Sequence, residues 1–145
     1  MHRLDTSIEI AVPTTRVWSV LVDFPSYPRW NPFVRSIAGN ALAGERLEVR
    51  FQPPGKGGMT FRPVVLKAEE GRELRWKGKV LLPGLFDGEH YFVLEPAPMG
   101  THFRHGDSFS GLLVPLFRKS LEGATRAGFL AMNEALKREA EKKPA

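Results

Sequence analysis

Thr101-His102-Phe103-Arg104-His105-Gly106-Asp107-Ser108-Phe109 alternates along its whole length. Successive side chains of a strand point to opposite faces, so Thr101, Phe103, His105, Asp107 and Phe109 share one side. His102, Arg104, Gly106 and Ser108 share the other. One face is therefore aromatic with two embedded polar groups, and it needs a cover. The cover follows directly. From about Pro115 to Glu141 the period changes from two to that of a helix, with Leu121, Thr125, Gly128, Met132 and Leu136 in one stripe, widened by Ala124, Phe129 and Ala135. Polar residues are expected on the opposite side. Gly123 and Gly128 each weaken a helix by about 1 kcal/mol relative to alanine, which suggests close approach of the helix to a sheet.

Upstream, the same period of two recurs. His90, Phe92 and Leu94 share a face, and Pro96-Ala97-Pro98-Met99-Gly100 reads as the turn into the quoted strand. Two registers fit this hairpin. One sets Leu94 opposite Phe103, Phe92 opposite His105 and His90 opposite Asp107; a two-residue slip sets His90 opposite His105. Leu74, Trp76, Val80 and Leu82 form an earlier apolar face, with Gly78 on it and Pro83-Gly84 as the following turn. Met59 to Glu69 reads as one strand with an irregularity at Pro63, where apolar parity switches from Phe61 to Val64 and Leu66. Leu47, Val49 and Phe51 alternate with charged and polar neighbours, Pro53 to Gly58 is a turn, and Val34 to Ile37 forms a short strand. The first strand has Leu4, Thr6, Ile8, Ile10 and Val12 on one face. Pro13 then opens a short helix over Thr14 to Val22. Phe24 to Phe33 holds Pro25, Pro28 and Pro32, which limit it to a tight connection or one helical turn. The order of strand, short helix, several strands and long helix defines an α+β layout, a curved antiparallel sheet against a C-terminal helix.

The chain has 145 residues, enough for one domain with a sizeable core, and 42% hydrophobic and 26% charged residues, near globular averages. Its net charge of +5 is spread among acids, so neither nucleic acid nor stable membrane insertion is expected. No apolar run approaches the roughly 20 residues of a membrane span. The N-terminus lacks an apolar signal core, and with no cysteine in the sequence the expected location is cytoplasmic.

The ordered set Ile10-Ala11-Val12-Pro13, Val17-Trp18, Asp23-Phe24, Tyr27-Pro28-Arg29-Trp30-Asn31-Pro32, Leu74-Arg75-Trp76, Gly88-Glu89-His90, Gly100-Thr101 and Phe109-Ser110-Gly111-Leu112-Leu113 resembles START-like (SRPBCC) proteins, more narrowly their polyketide cyclase/dehydrase-like branch. The resemblance covers nearly the whole chain. It implies a helix-grip fold with a deep cavity between sheet and C-terminal helix, able to take lipids, polyketides or other hydrophobic compounds. It transfers no catalytic residue, because such proteins share a cavity and not one catalytic constellation.

The residues themselves therefore nominate the site. Trp30, Trp76, His90, Phe92, Phe103, His105, Asp107, Phe109, Gly128 and Met132 are the expected ligand-binding set, around a pocket of roughly 300–1,000 Å³. His90, His105 and Asp107 are the candidate acid–base groups, since either hairpin register brings an imidazole to a carboxylate. The same cluster could instead be a satisfied polar network or a ligand-orienting one, as a buried carboxylate needs a partner merely to fold. Two histidines and one aspartate can hold iron or zinc, but the spacing matches no metal signature, and His102 faces away; no metal or other cofactor is expected. Trp30 and Asn31 could close and polarise one end of the cavity, or plug the core and cap a turn. The expected partner is a small hydrophobic or amphipathic ligand. An enzyme of the cyclase, dehydratase or aromatase kind and a protein-interaction module are the alternatives, and homodimerisation stays open.

Overall fold

The computed structural model describes residues 1–80 and 84–142, with the side chain of Val80 left aside; the expectations for Leu82, Pro83 and the side chain of Val80 lie outside what it describes. Strands β1 (His2–Ile10), β2 (Val34–Ala38), β3 (Glu48–Phe51), β4 (Met59–Phe61), β5 (Val64–Glu69), β6 (Glu73–Val80), β7 (Phe86–Ala97) and β8 (Gly100–Ser110) are joined by helices α1 (Thr14–Leu21) and α2 (Tyr27–Trp30) after β1. The C-terminal helix follows β8 as α3 (Val114–Ser120), one π-helical stretch over Leu121–Thr125, and α4 (Arg126–Glu141). The strands form an antiparallel sheet in the order β1-β8-β7-β6-β5 and a second in the order β2-β3-β4. This is the expected α+β helix-grip arrangement, with α4 lying along the inner face of β1 and β8.

The hairpin settles in the first of its two registers: Leu94 faces Phe103, Phe92 faces His105 and His90 faces Asp107. The turn is shorter than expected, since Pro96 and Ala97 still pair with Thr101 and Gly100. Proline is tolerated there because β6 has already ended. The Leu94 N–H donates to the Arg72 carbonyl, and the N–H two residues on would point to the same, unpaired side.

Pro63 does more than bend a strand. The expected single strand Met59 to Glu69 is two strands in different sheets, β4 ending at Phe61 and β5 beginning at Val64. The Pro63 carbonyl accepts from the Leu47 N–H at 2.8 Å and ties the second sheet to the first at this corner. Val65, opposite buried Trp76, is buried, whereas Leu66, expected on the apolar face, is the extra residue of a bulge before Lys67 and is exposed.

Two expectations for the long helix need correction. Asn133 and Glu139 are polar yet buried. Asn133 reaches into the sheet, and Glu139 pairs with Arg29 at 2.5 Å while Arg16 donates to the last helical carbonyls. The two glycines also differ. A Cβ on Gly128 would stand 2.6 Å from Phe33 Cε1 and closer still to Cδ1, whereas one on Gly123 meets nothing within 4 Å. Close approach is real at Gly128, against Phe33 and not the sheet; Gly123 faces solvent.

Candidate functional site

Between the two sheets and the C-terminal helix lies a cavity of about 230 Å³, smaller than the expected range. Its wall is dominated by the rings of Phe33, Phe51, Phe61, Trp76, Phe86, Phe109, Phe117 and Phe129. These rings support one another: Phe33, Phe51 and Phe61 stack in series at 5.6 and 4.6 Å, Phe33 meets Phe129 edge-on at 5.4 Å, and Phe86 bridges Phe109 and Phe117. Gly78 and Gly88 supply wall without side chains, and a Cβ on Gly78 would touch Pro63 at 3.4 Å. Half-exposed Met59 and Phe117 stand at the opening.

Of the expected site residues, Trp76, His90, Asp107 and Phe109 line this cavity. Phe92, Phe103, His105 and Met132 are fully buried and do not line it; Phe129 stacks on His105 at 4.3 Å and stands between that imidazole and the cavity. That packing also explains the reduced volume. Gly128 backs onto Phe33 outside the wall. Trp30 packs edge-on against Tyr27 at 5.1 Å, away from the cavity. Asn31 is buried, and its Oδ1 accepts from the N–H groups of Phe33 and Val34 at 3.0 and 2.9 Å, a turn cap that orients Phe33. Sequence reasoning missed Phe33, Phe51, Phe61, Phe86, Phe117 and Phe129 as wall residues. The alternation around Phe51 and the helical spacing of Phe117 and Leu121 identify apolar faces but not a shared cavity.

The polar centre is continuous. His90 Nδ1 lies 2.9 Å from Asp107 Oδ2, His90 Nε2 lies 2.8 Å from His105 Nε2, and His105 Nδ1 lies 2.8 Å from Asn133 Oδ1. Asn133 Nδ2 donates to Thr6 Oγ1 at 2.9 Å, and Thr6 Oγ1 donates to the His105 carbonyl at 2.7 Å. The hairpin register sets the first contact, and the buried position of Asn133 on α4 ties the helix to β1 and β8. His90 is stacked on Trp76 at 5.2 Å. Burial drives the His90 pKa down to about 3. Burial, and then the charge of His90, holds His105 well below the usual imidazole range. Burial, and then the charge of Glu89, holds Asp107 well above the usual carboxylate range, against a smaller opposite pull from the backbone of Glu89 and Ser108. Among the described residues no group of three or more His, Cys, Asp or Glu side chains is placed to hold a metal ion. His102 lies on the outer face, paired with Glu9.

The sequence pattern described as "Polyketide cyclase / dehydrase and lipid transport" matches residues 1–141. The chain belongs to that family. No curated protein matches it. Among solved structures, this family member is similar to a Mesorhizobium loti protein at 20% identity and a TM-score of 0.76, covering 99% of this chain and 100% of that one. It is similar to the di-domain ARO/CYC BexL from the BE-7585A biosynthetic pathway at 15% identity and a TM-score of 0.79, covering 99% of this chain and 51% of that one. It is also similar to Ara h 8.0201 at 16% identity and a TM-score of 0.64, covering 93% and 97%. At these identities the structures establish the shared fold. Among the described residues of this polyketide cyclase/dehydrase-family chain, no helix is long and apolar enough to cross a membrane.

Proposed function

We propose that residues 1–145 act as one ligand-binding domain that takes a small, largely apolar molecule into the cavity between sheet and helix. The observation that carries this reading is an aromatic cavity of about 230 Å³ lined in part by Asp107, whose buried Oδ1 has no hydrogen-bond partner among the described residues. A wall of rings favours flat, apolar ligands, and a few polar groups among the rings fix their orientation. Membership of a polyketide cyclase/dehydrase and lipid transport family supports the same reading. Native mass spectrometry of the purified protein is the test: a co-purified small molecule is expected, and a chain that releases none and takes up no aromatic probe would refute it.

The contact between His90 and Asp107 in the cavity wall favours a second reading, a cyclase, dehydratase or aromatase in which these groups move protons on a bound polyketide-like substrate. The similarity to ARO/CYC structures supports it. Turnover of a cyclisable substrate that falls about 10²-fold in Asp107→Leu, with the fold intact, would establish this second reading. Under either reading the protein works in the cytoplasm on a small molecule and not on nucleic acid, with self-association into a homodimer open to light scattering.

A further inference from the structure

The buried polar chain has a direction. Thr6 has one hydroxyl proton, and it is committed to the His105 carbonyl at 2.7 Å. Thr6 Oγ1 can therefore only accept from Asn133, which puts the Asn133 Nδ2 toward Thr6 and its Oδ1 toward His105. With the amide reversed, two carbonyl oxygens would compete for the one Thr6 proton. Asn133 Oδ1 accepts, so His105 must carry its proton on Nδ1, and a backbone interaction with Phe129 favours a proton on the same ring. A neutral His105 then presents an unprotonated Nε2, so His90 must donate from Nε2. That leaves the Nδ1 of a neutral His90 as an acceptor, and among the described residues the group that bonds it is Asp107 Oδ2 at 2.9 Å. A carboxylate cannot donate; a carboxylic acid can.

The alternative moves one proton, making a carboxylate beside an imidazolium. The surroundings oppose it. Asp107 Oδ1 has no hydrogen-bond partner among the described residues, and His90 lies among Trp76, Phe92 and Phe129. A buried carboxylate with one close donor, helped only by the weaker pull of the Glu89 and Ser108 backbone, and an imidazolium walled by rings are both poorly solvated. The charged groups nearby add no compensation: Glu89 is paired with Arg75, and Lys79 stands exposed at the cavity wall.

We infer that Asp107 is held as a neutral carboxylic acid whose proton points to His90 and whose Oδ1 is left as a hydrogen-bond acceptor for the ligand, so that the cavity selects uncharged aromatic compounds carrying a hydroxyl or N–H donor. The burial of Asp107, which raises its pKa, agrees with this state. Gly88 makes room for it: a Cβ there would stand 3.1 Å from Oδ1. The inference rests on the cavity being a ligand site, but its proton arrangement can be read without any ligand.

Two measurements test it. In ¹⁵N-histidine NMR spectra of the free protein at pH 7, His90 is expected as the Nε2–H form and His105 as the Nδ1–H form. An imidazolium at His90, or the reverse tautomers, overturns the inference. Asp107→Asn offers an amide N–H to His90 in place of the acid O–H and needs no proton taken up from solvent, so its urea midpoint at pH 7 should match or exceed that of the unaltered chain; a large fall overturns the neutral acid. For selection, 2-naphthol, naphthalene and 2-naphthoate serve as probes. Replacing Asp107 by leucine should reduce the preference for 2-naphthol over naphthalene by about tenfold, the usual worth of one hydrogen bond. In the unaltered chain 2-naphthoate should bind more weakly than 2-naphthol. An unchanged preference, or equal binding of the anion, overturns the selection. Uptake of none of the three removes the cavity reading and the selection with it, while the NMR result still decides the state of Asp107.

Discussion

Gly128→Ala adds one methyl group where the C-terminal helix packs directly against Phe33. The new Cβ would stand 2.6 Å from Phe33 Cε1 and closer to Cδ1, about 1 Å inside ordinary contact. Phe33 cannot yield easily, because it is buried, stacked on Phe51 at 5.6 Å and edge-on to Phe129 at 5.4 Å. Overpacking of this kind costs about 1–3 kcal/mol, and the gain in helix propensity returns up to about 1 kcal/mol. A contact this short belongs to the upper half of that cost, so the expected net loss is about 1–2 kcal/mol. Gly123→Ala is the control on the same helix. Its Cβ meets nothing within 4 Å, so only the propensity gain remains, an increase of about 0.5–1 kcal/mol. Urea denaturation at fixed pH should move the two midpoints in opposite directions. Phe33→Leu should recover part of the Gly128→Ala loss, as expected for residues that share one space. A Gly128→Ala midpoint equal to or above that of the unaltered chain would refute the packing argument.

Three further outcomes follow from the site. Because burial lowers the folded pKa of His90 to about 3 and lowers that of His105, the unfolded chain binds more protons below the ordinary histidine pKa of about 6.5; their stabilisation is complete above it and is lost as pH falls. Asp107, shifted upward, acts in the opposite sense, so its contribution is complete below the ordinary aspartate value and declines as pH rises. Two histidines against one aspartate leave a net loss of up to about 1.4 kcal/mol per pH unit on acidification from about 6.5 to 4.5, and flat urea midpoints across that window would contradict it. Asn133→Leu strands the His105 Nδ1–H and should cost about 1–3 kcal/mol by the same assay; a neutral effect would mean that the chain through Asn133 carries no stability. An aromatic ligand should change tryptophan fluorescence through Trp76, stacked on His90 in the wall, and Trp76→Phe should remove that change although Trp18 and Trp30 remain.

The fold was legible wherever a local period reports a buried face. Alternation along β8 and the stripe on the C-terminal helix identified the two layers, and the period-two pattern offered two registers from which packing chose one. Pro63 was visible as a disturbance, but whether a proline bends one strand or separates two sheets depends on distant partners such as Leu47, which a local pattern does not contain. Most of the aromatic wall was hidden for the same reason. Phe51 and Phe61 face the cavity only because the β2-β3-β4 sheet closes over β6 and the helix, a pairing set by long-range contacts. Phe92 and His105 share strand parity with His90 and Asp107, yet parity places a residue on a face and says nothing about which part of the face another element covers. Phe129 covers that part, and its stack on His105 turns an inward-facing imidazole from a site residue into the support of one. Asn133 was hidden most completely, since an asparagine on an amphipathic helix normally belongs to the wet side. Its burial makes sense only after β1 and β8 bring Thr6 and His105 to meet it. The polar group that escapes pattern reading is therefore the one that orients every proton between the helix and Asp107, and the chemistry offered to a ligand at Oδ1 is decided on the far side of the sheet's inner face, at a residue the ligand never touches.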